Sequence, residues 1–202
     1  SSVPDSSFDV SVIETGGWGD MYIGLVKFDI SPLPTVPTGG RVSVWFYNLS
    51  PGGAAVPTQV QMGLLASNFS SATTWNNAAL SWYSSTVRTI NVSVYGSWTE
   101  FDITDYYNYW KGGVANYGFA LVPVNTNNNF NLFPSSATST IPSQKPLLRI
   151  TTANANQFMD FPLPTTLYPQ GAYTPGKMIS ILDHNMTVLY QTDGNITSFT
   201  GE

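Results

Sequence analysis

Gly96-Ser97-Trp98-Thr99-Glu100-Phe101-Asp102-Ile103-Thr104-Asp105-Tyr106-Tyr107-Asn108-Tyr109-Trp110-Lys111-Gly112-Gly113, running on to Asn116-Tyr117-Gly118-Phe119-Ala120-Leu121, is the stretch that decides the fold. Polar and apolar residues alternate through Trp98–Asp102, which predicts a strand with one buried face. Thr104 or Asp105 can then cap a short helix. Tyr106 and Tyr107 precede Trp110 by four and three residues, so the three share one helix face, and Gly112 and Gly113 stop the helix. Strand character returns at Phe119. One short helix between strands predicts an all-β, jelly-roll-like antiparallel sandwich closed at one end. The stretch holds no obvious catalytic group, which favours a binding or building module over an enzyme.

Outward from this segment, turn residues recur roughly every 8–12 positions, as in a sandwich or barrel. Strands are predicted over residues 9–14, 22–29, 41–48, 59–65, 87–94, 98–102, 117–123, 129–133 and 147–151. Val42, Val44 and Phe46 share one parity, so that strand buries one face. After Thr151 the texture changes. Residues 152–157 form a small polar linker, and Pro162, Pro164 and Pro169 disfavour central strands. Short strands follow over 177–182, 186–192 and 195–200, joined by Asp183-His184-Asn185 and by Asp193-Gly194, a hairpin signal. The chain thus divides into an extended arm over 1–21, a sandwich over 22–151, and a linker with a β-meander over 152–202. A meander this small cannot stand alone and needs a partner surface, its own sandwich or another subunit.

Composition narrows the function. Only 9% of the 202 residues are charged, against about 25% in an ordinary soluble domain. The surface must therefore be built from neutral polar groups, as on many secreted β proteins. The net charge is −5 and the basic residues are scattered, which argues against nucleic acid. Cysteine is absent, so disulfides and thiolate metal sites are excluded. No apolar run approaches the ~20 residues of a membrane helix, so membrane insertion is not expected. Ser1-Ser2-Val3-Pro4 reads as a mature terminus left by signal-peptide removal, which places the protein outside the cell or on its surface. Asn48, Asn68, Asn91, Asn185 and Asn195 each begin an Asn-x-Ser/Thr sequon and are candidate N-glycosylation sites, although sequons also arise by chance in so Asn-, Ser- and Thr-rich a chain. Asn48 and Asn195 lie near turn signals and are expected at the surface.

Several motifs together resemble a known family. They are Lys27-Phe28-Asp29-Ile30-Ser31, Arg41-Val42-Ser43-Val44-Trp45, Ser71-Ala72-Thr73-Thr74-Trp75-Asn76-Asn77, Trp98-Thr99-Glu100-Phe101-Asp102-Ile103-Thr104, Trp110-Lys111-Gly112, Asn116-Tyr117-Gly118-Phe119-Ala120-Leu121 and Pro146-Leu147-Leu148-Arg149-Ile150. In order and spacing, residues 22–151 resemble the DNRLRE domain, a β-sandwich related to a family of carbohydrate-binding modules. The resemblance implies a secreted or surface protein, in some cases one that binds polysaccharide. Ala137 departs from the family, which often carries an acidic residue after its paired serines. Independently of the resemblance, Phe28, Trp75, Phe101, Trp110 and Phe119 are large apolar groups spaced to meet in one core, each contributing about 1.5–3 kcal/mol or more when buried.

Catalytic readings are weak. His184 is the sole histidine and falls in a predicted turn, without the partners of a triad or a metal site. Glu100 with Asp102 or Asp105 offers a carboxylate pair of the kind glycosidases use, but Asp102 suits a strand end and Asp105 a helix cap. No cofactor is expected. Asp5, Asp9, Asp20 and Asp29 are possible Ca2+ ligands without any recognised spacing. Gly16-Gly17-Trp18-Gly19 lacks the Lys and the following helix of a phosphate loop and reads as a turn carrying an exposed Trp.

Aromatic residues are better candidates, because their faces stack on the C–H faces of sugars. Trp18, Trp82 and Tyr83 are the candidate sugar or subunit contacts; Trp45 is expected in the core, and Tyr106, Tyr107 and Tyr109 form a further cluster. Phe8, Val10 and Val12 alternate with polar neighbours and form a candidate inserted strand. Two functions fit. The first is a non-enzymatic extracellular subunit that polymerises with other copies of itself into a helical filament by strand exchange or augmentation. The second is a carbohydrate-binding module with glycans as partners, or, with the same assembly physics as the filament, a viral fibre or decoration protein. Acidic glycans would need basic residues beside an aromatic platform, and few are present.

Overall fold

The computed structural model describes residues 12–70, 73–74, 76, 80–135, 144–162, 179–182 and 188–192. In chain order the strands are β1 (Val12–Gly17), β2 (Gly24–Val26), β3 (Arg41–Asn48), β4 (Val60–Leu64), β5 (Arg88–Ile90) and β6 (Ser97–Asp102). Helix α1 (Thr104–Lys111) follows, then β7 (Phe119–Pro123), β8 (Asn129–Pro134), β9 (Leu147–Thr151), β10 (Phe158–Pro162), β11 (Ile179–Leu182) and β12 (Val188–Thr192). A 3-10 turn spans Ser84–Thr86.

The strands form the expected all-β sandwich. A main sheet of six strands runs β12-β11-β10-β9-β3-β6, a second sheet of four runs β2-β7-β4-β5, and β1 pairs with β8. All the strand pairings are antiparallel. Strand alternation aims one set of side chains into the space between the sheets. Val42, Val44 and Phe46 of β3 meet Val60, Met62 and Leu64 of β4 in one buried cluster. Phe28, Phe101, Trp110 and Phe119 join it as expected, while Trp75 lies outside the described residues. Removing this much apolar surface from water, at about 25 cal/mol per Å2, is the main stabilising term.

Helix α1 closes one end. Tyr106, Tyr107 and Trp110 face the core, so the first two are not available as sugar contacts. Tyr106 Oη donates to Thr86 O at 2.7 Å, and Tyr107 Oη donates to Pro34 O at 2.5 Å. Burial pushes the phenols of both above the usual tyrosine range. Neither proposed cap acts as one. Asp102 Oδ1 instead accepts from the Thr104 backbone N–H at 2.9 Å. The Asn116-Tyr117-Gly118 motif is explained by close approach. Gly118 has φ +80°, and a Cβ there would lie 2.0 Å from Val26 O.

The ends of the chain refine the sequence reading. Val12 opens β1 and pairs with Pro134 of the same chain, whereas Phe8 and Val10 lie outside the described residues. β10 is a strand that the proline pattern did not suggest. It pairs with β9 along Phe158–Pro162, and Met159 and Phe161 enter the core. Pro162 is the last residue of the strand, where a missing N–H does least harm. β11 and β12 continue the same sheet, so the described part of the meander rests on this chain's own sandwich. Its predicted strand over 195–200, with Asn185, Asn195 and His184, lies outside the described residues.

Candidate functional site

The outward face of the second sheet is largely apolar and carries a candidate site. Leu25, Ala120 and Gly63 lie side by side across β2, β7 and β4, and Val122, Gln61 and Thr89 form the next row across β7, β4 and β5. One end of this face is covered by residues 65–70 together with Leu80. There Leu65, Phe69 and Ala120 form a second buried cluster, with Ile23, Leu25, Leu80, Tyr117 and Val122 around it.

Trp82 is placed at the margin of that cover. Ala66 N donates to Ser81 O at 2.8 Å and Tyr83 N donates to Leu64 O at 3.0 Å, which lays the segment alongside the end of β4. Thr86 holds the following turn: its Oγ1 donates to Tyr83 O at 2.7 Å and accepts from Leu64 N at 3.1 Å. Trp82 therefore lies over Gly63. A shallow hollow results, lined by Gln61, Gly63, Trp82, Val87, Ala120 and Val122. Trp82 remains 40% exposed and Tyr83 45%. No charged side chain lines this hollow. Its chemistry is an indole, small aliphatic groups and the Gln61 amide. Such a surface accepts the apolar C–H face of an uncharged polyol and can hydrogen-bond a hydroxyl.

Trp82 and Tyr83 are thus brought together, and Trp18 stands apart from them. It occupies the turn after β1, stacked on Phe130 at 5.6 Å between ring centroids, with 49% of its surface exposed. Its backbone N–H donates to Asp20 Oδ1 at 3.1 Å. Tyr109 is exposed on α1. Trp45 is not a core residue: it lies half-buried on the outer face of the main sheet, because its parity is opposite to that of Val44 and Phe46. Sequence reasoning missed Gln61, Gly63, Val87, Ala120 and Val122. Gly63 was the available signal, since a glycine inside a strand marks a close approach.

The sequon asparagines separate sharply. Asn68 and Asn91 are exposed. Asn48 is not: it is fully buried, and its Nδ2 donates to Ser93 O at 2.9 Å while Leu132 N donates to its Oδ1 at 3.3 Å. The folded chain has no room for a glycan there, which corrects the surface position expected from nearby Pro51.

The candidate catalytic acids are engaged in structural contacts. Glu100 pairs with Arg41, and Arg88 donates to Asp105 at 2.9 Å. Asp102 Oδ1 also accepts from Thr104 Oγ1 at 2.7 Å. Among the described residues no three His, Cys, Asp or Glu side chains gather as a metal site. Asp29 Oδ1 accepts from Ser31 N and Oγ at 2.8 and 2.6 Å, and Asp5 and Asp9 lie outside the described residues.

Two packed antiparallel sheets carry an exposed aromatic on an outer face, and the acids are spent on structural bonds. In a comparison with protein families, residues 9–152 match the model of carbohydrate-binding module family 96, and the chain belongs to that family. The match begins before residue 22 and so takes in β1. Family membership identifies the matched region as a binding module, non-catalytic by class. No curated protein matches the chain.

Proposed function

We propose that this chain is a non-enzymatic, extracellular glycan-binding protein, and that the Trp82 hollow on the second sheet receives an uncharged polysaccharide. The observation that carries the reading is Trp82 lying half-exposed over Gly63, beside an amide and away from charge. Stacking of a sugar ring on an indole supplies affinity at little entropic cost, because the ring is already held by the Tyr83–Thr86 turn. Affinity electrophoresis through gels containing neutral or uronate polysaccharides tests it. A neutral polymer should retard the protein, and Trp82→Ala should weaken that binding at least about tenfold, a change of roughly 1.4 kcal/mol. Unaltered retardation of the variant would end this assignment.

A second reading, polymerisation with other copies, draws support from one feature. Among the described residues β12 pairs only with β11, so its other side is a strand edge able to accept a strand from a neighbour. Electron microscopy of the native material and light scattering over a range of concentrations test it: filaments support strand addition, and a monodisperse monomer at every concentration removes it.

A further inference from the structure

The outer face of the main sheet holds a group of side chains for which core packing offers no reason. Arg149 of β9 lies between two rings, its guanidinium carbon 3.9 Å from the Phe158 centroid and 5.4 Å from that of Trp45. Its Nε and Nη2 donate to the two carboxylate oxygens of Asp160 at 2.7 and 2.8 Å. Both charged side chains remain accessible, 28% and 33% exposed. On the same face Arg41 pairs with Glu100. Trp45 is itself oriented, since its Nε1 donates to Ser43 Oγ at 3.0 Å.

We propose that this face is a second glycan site, and that β10, which lies beyond the family match, completes it. Phe158 and Asp160 both belong to β10, and the match ends at residue 152. A guanidinium has five N–H donors, and the bidentate pair with Asp160 uses two, leaving three for a ligand. Asp160 keeps acceptor capacity, so the pair presents donors and acceptors in one plane. A sugar hydroxyl both donates and accepts, and adjacent hydroxyls match that plane. The half-buried Trp45 ring, one face of which meets Arg149, gives the sugar's C–H groups an apolar flank. Arg149 is neutralised by Asp160 and Arg41 by Glu100, so the face carries no surplus positive charge and selects neutral hexose polymers over polyuronates. The long side chains are already ordered by their pairing and stacking, which lowers the entropic cost of binding.

The proposal shares the glycan class with the Trp82 reading but concerns the opposite face, so the two fail separately. Isothermal titration of the full chain with neutral gluco- and manno-hexasaccharides, and with an oligouronate as control, gives the stoichiometry. Two neutral oligosaccharides per chain are expected, falling to one in Trp82→Ala, to one in Phe158→Ala, and to none detectable in the double variant. Arg149→Lys keeps the charge but loses the fork, and should weaken the second event at least about tenfold. Because Phe158→Ala could disturb β10, the unsubstituted protein provides an independent readout: the indole N–H resonance of Trp45 should shift on titration with neutral ligand. Loss of all binding in Trp82→Ala, a Trp45 resonance that stays fixed at saturation, or binding of the oligouronate alone would each overturn the second site. Full binding by Trp82→Ala with loss in Phe158→Ala would support it and remove the first.

Discussion

Gly63 and Trp82 are fitted to each other: a Cβ placed on Gly63 would lie 3.4 Å from Trp82 Cγ and 3.5 Å from its Cβ. That glycine does not have a positive φ, so backbone freedom is not what requires it. Its missing side chain is the floor on which the indole rests. The relation ties a strand residue with no chemistry of its own to the proposed recognition of sugar.

The first expectation follows from that floor. Gly63→Val adds two methyls beyond the Cβ and must lift the indole, so neutral-glycan affinity should fall at least about tenfold, as in Trp82→Ala. Gly63→Ala adds only an ordinary van der Waals contact and should retain binding. Titration calorimetry distinguishes the two, with circular dichroism confirming that both are folded.

Asn48 carries the second. Its amide joins β3 to the 93 loop and β8, and Asn131 beside it donates from Nδ2 to Thr58 O at 2.9 Å while its Oδ1 accepts from Thr58 N at 3.2 Å. Asn48→Ala strands buried partners and should cost about 1–3 kcal/mol in urea denaturation. In a glycosylating secretory host, peptide mapping should find no sugar on Asn48, while Asn68 and Asn91 remain open to it.

Glu14 gives a pH dependence. Burial, reinforced by the nearby Asp20 charge, holds its carboxyl above the usual glutamate range. A carboxyl raised in the folded state contributes stability that is complete below its unfolded pKa and is lost as pH rises through the folded value. Glu14→Gln should therefore raise the urea midpoint at pH 7. Near pH 3 both forms are uncharged, and the midpoints should coincide. A midpoint at pH 7 equal to or below that of the unsubstituted chain would contradict this account.

Strand parity decides which of these features the sequence makes legible. The strands over Arg41–Asn48 and Leu147–Thr151 were plain in the sequence, because each buries one face and exposes the other. The same alternation that aims Val42, Val44 and Phe46 inward aims Asn48 inward despite the turn signal that follows it, and aims Trp45 outward despite its apolar ring. The Arg149–Asp160 pair was not legible, since it depends on the register in which β10 meets β9. The Trp82 hollow was half-legible: an aromatic pair in a loop was evident, but its floor comes from β4 and β7, whose pairing no local pattern reveals.

β10 sets the last expectation, because the family boundary and the physical boundary of the sandwich differ. The match ends at residue 152, yet Met159 is fully buried and Phe161 nearly so, both packed in the common core. Ending the chain at Thr152 would open that core and uncover the edge of β9, whose Leu148 and Ile150 pair with Phe161 and Met159. Replacing one such side chain by alanine costs about 2–5 kcal/mol, a large part of a domain's typical 5–15 kcal/mol. A chain ending at Thr152 should therefore aggregate or unfold without a cooperative transition, and Met159→Ala in the full chain should lose stability in that range. A chain ending at Pro162 retains both residues and should melt cooperatively in calorimetry. If the shorter chain melted as sharply and at the same temperature as the longer one, β10 would be an appendage rather than part of the sandwich.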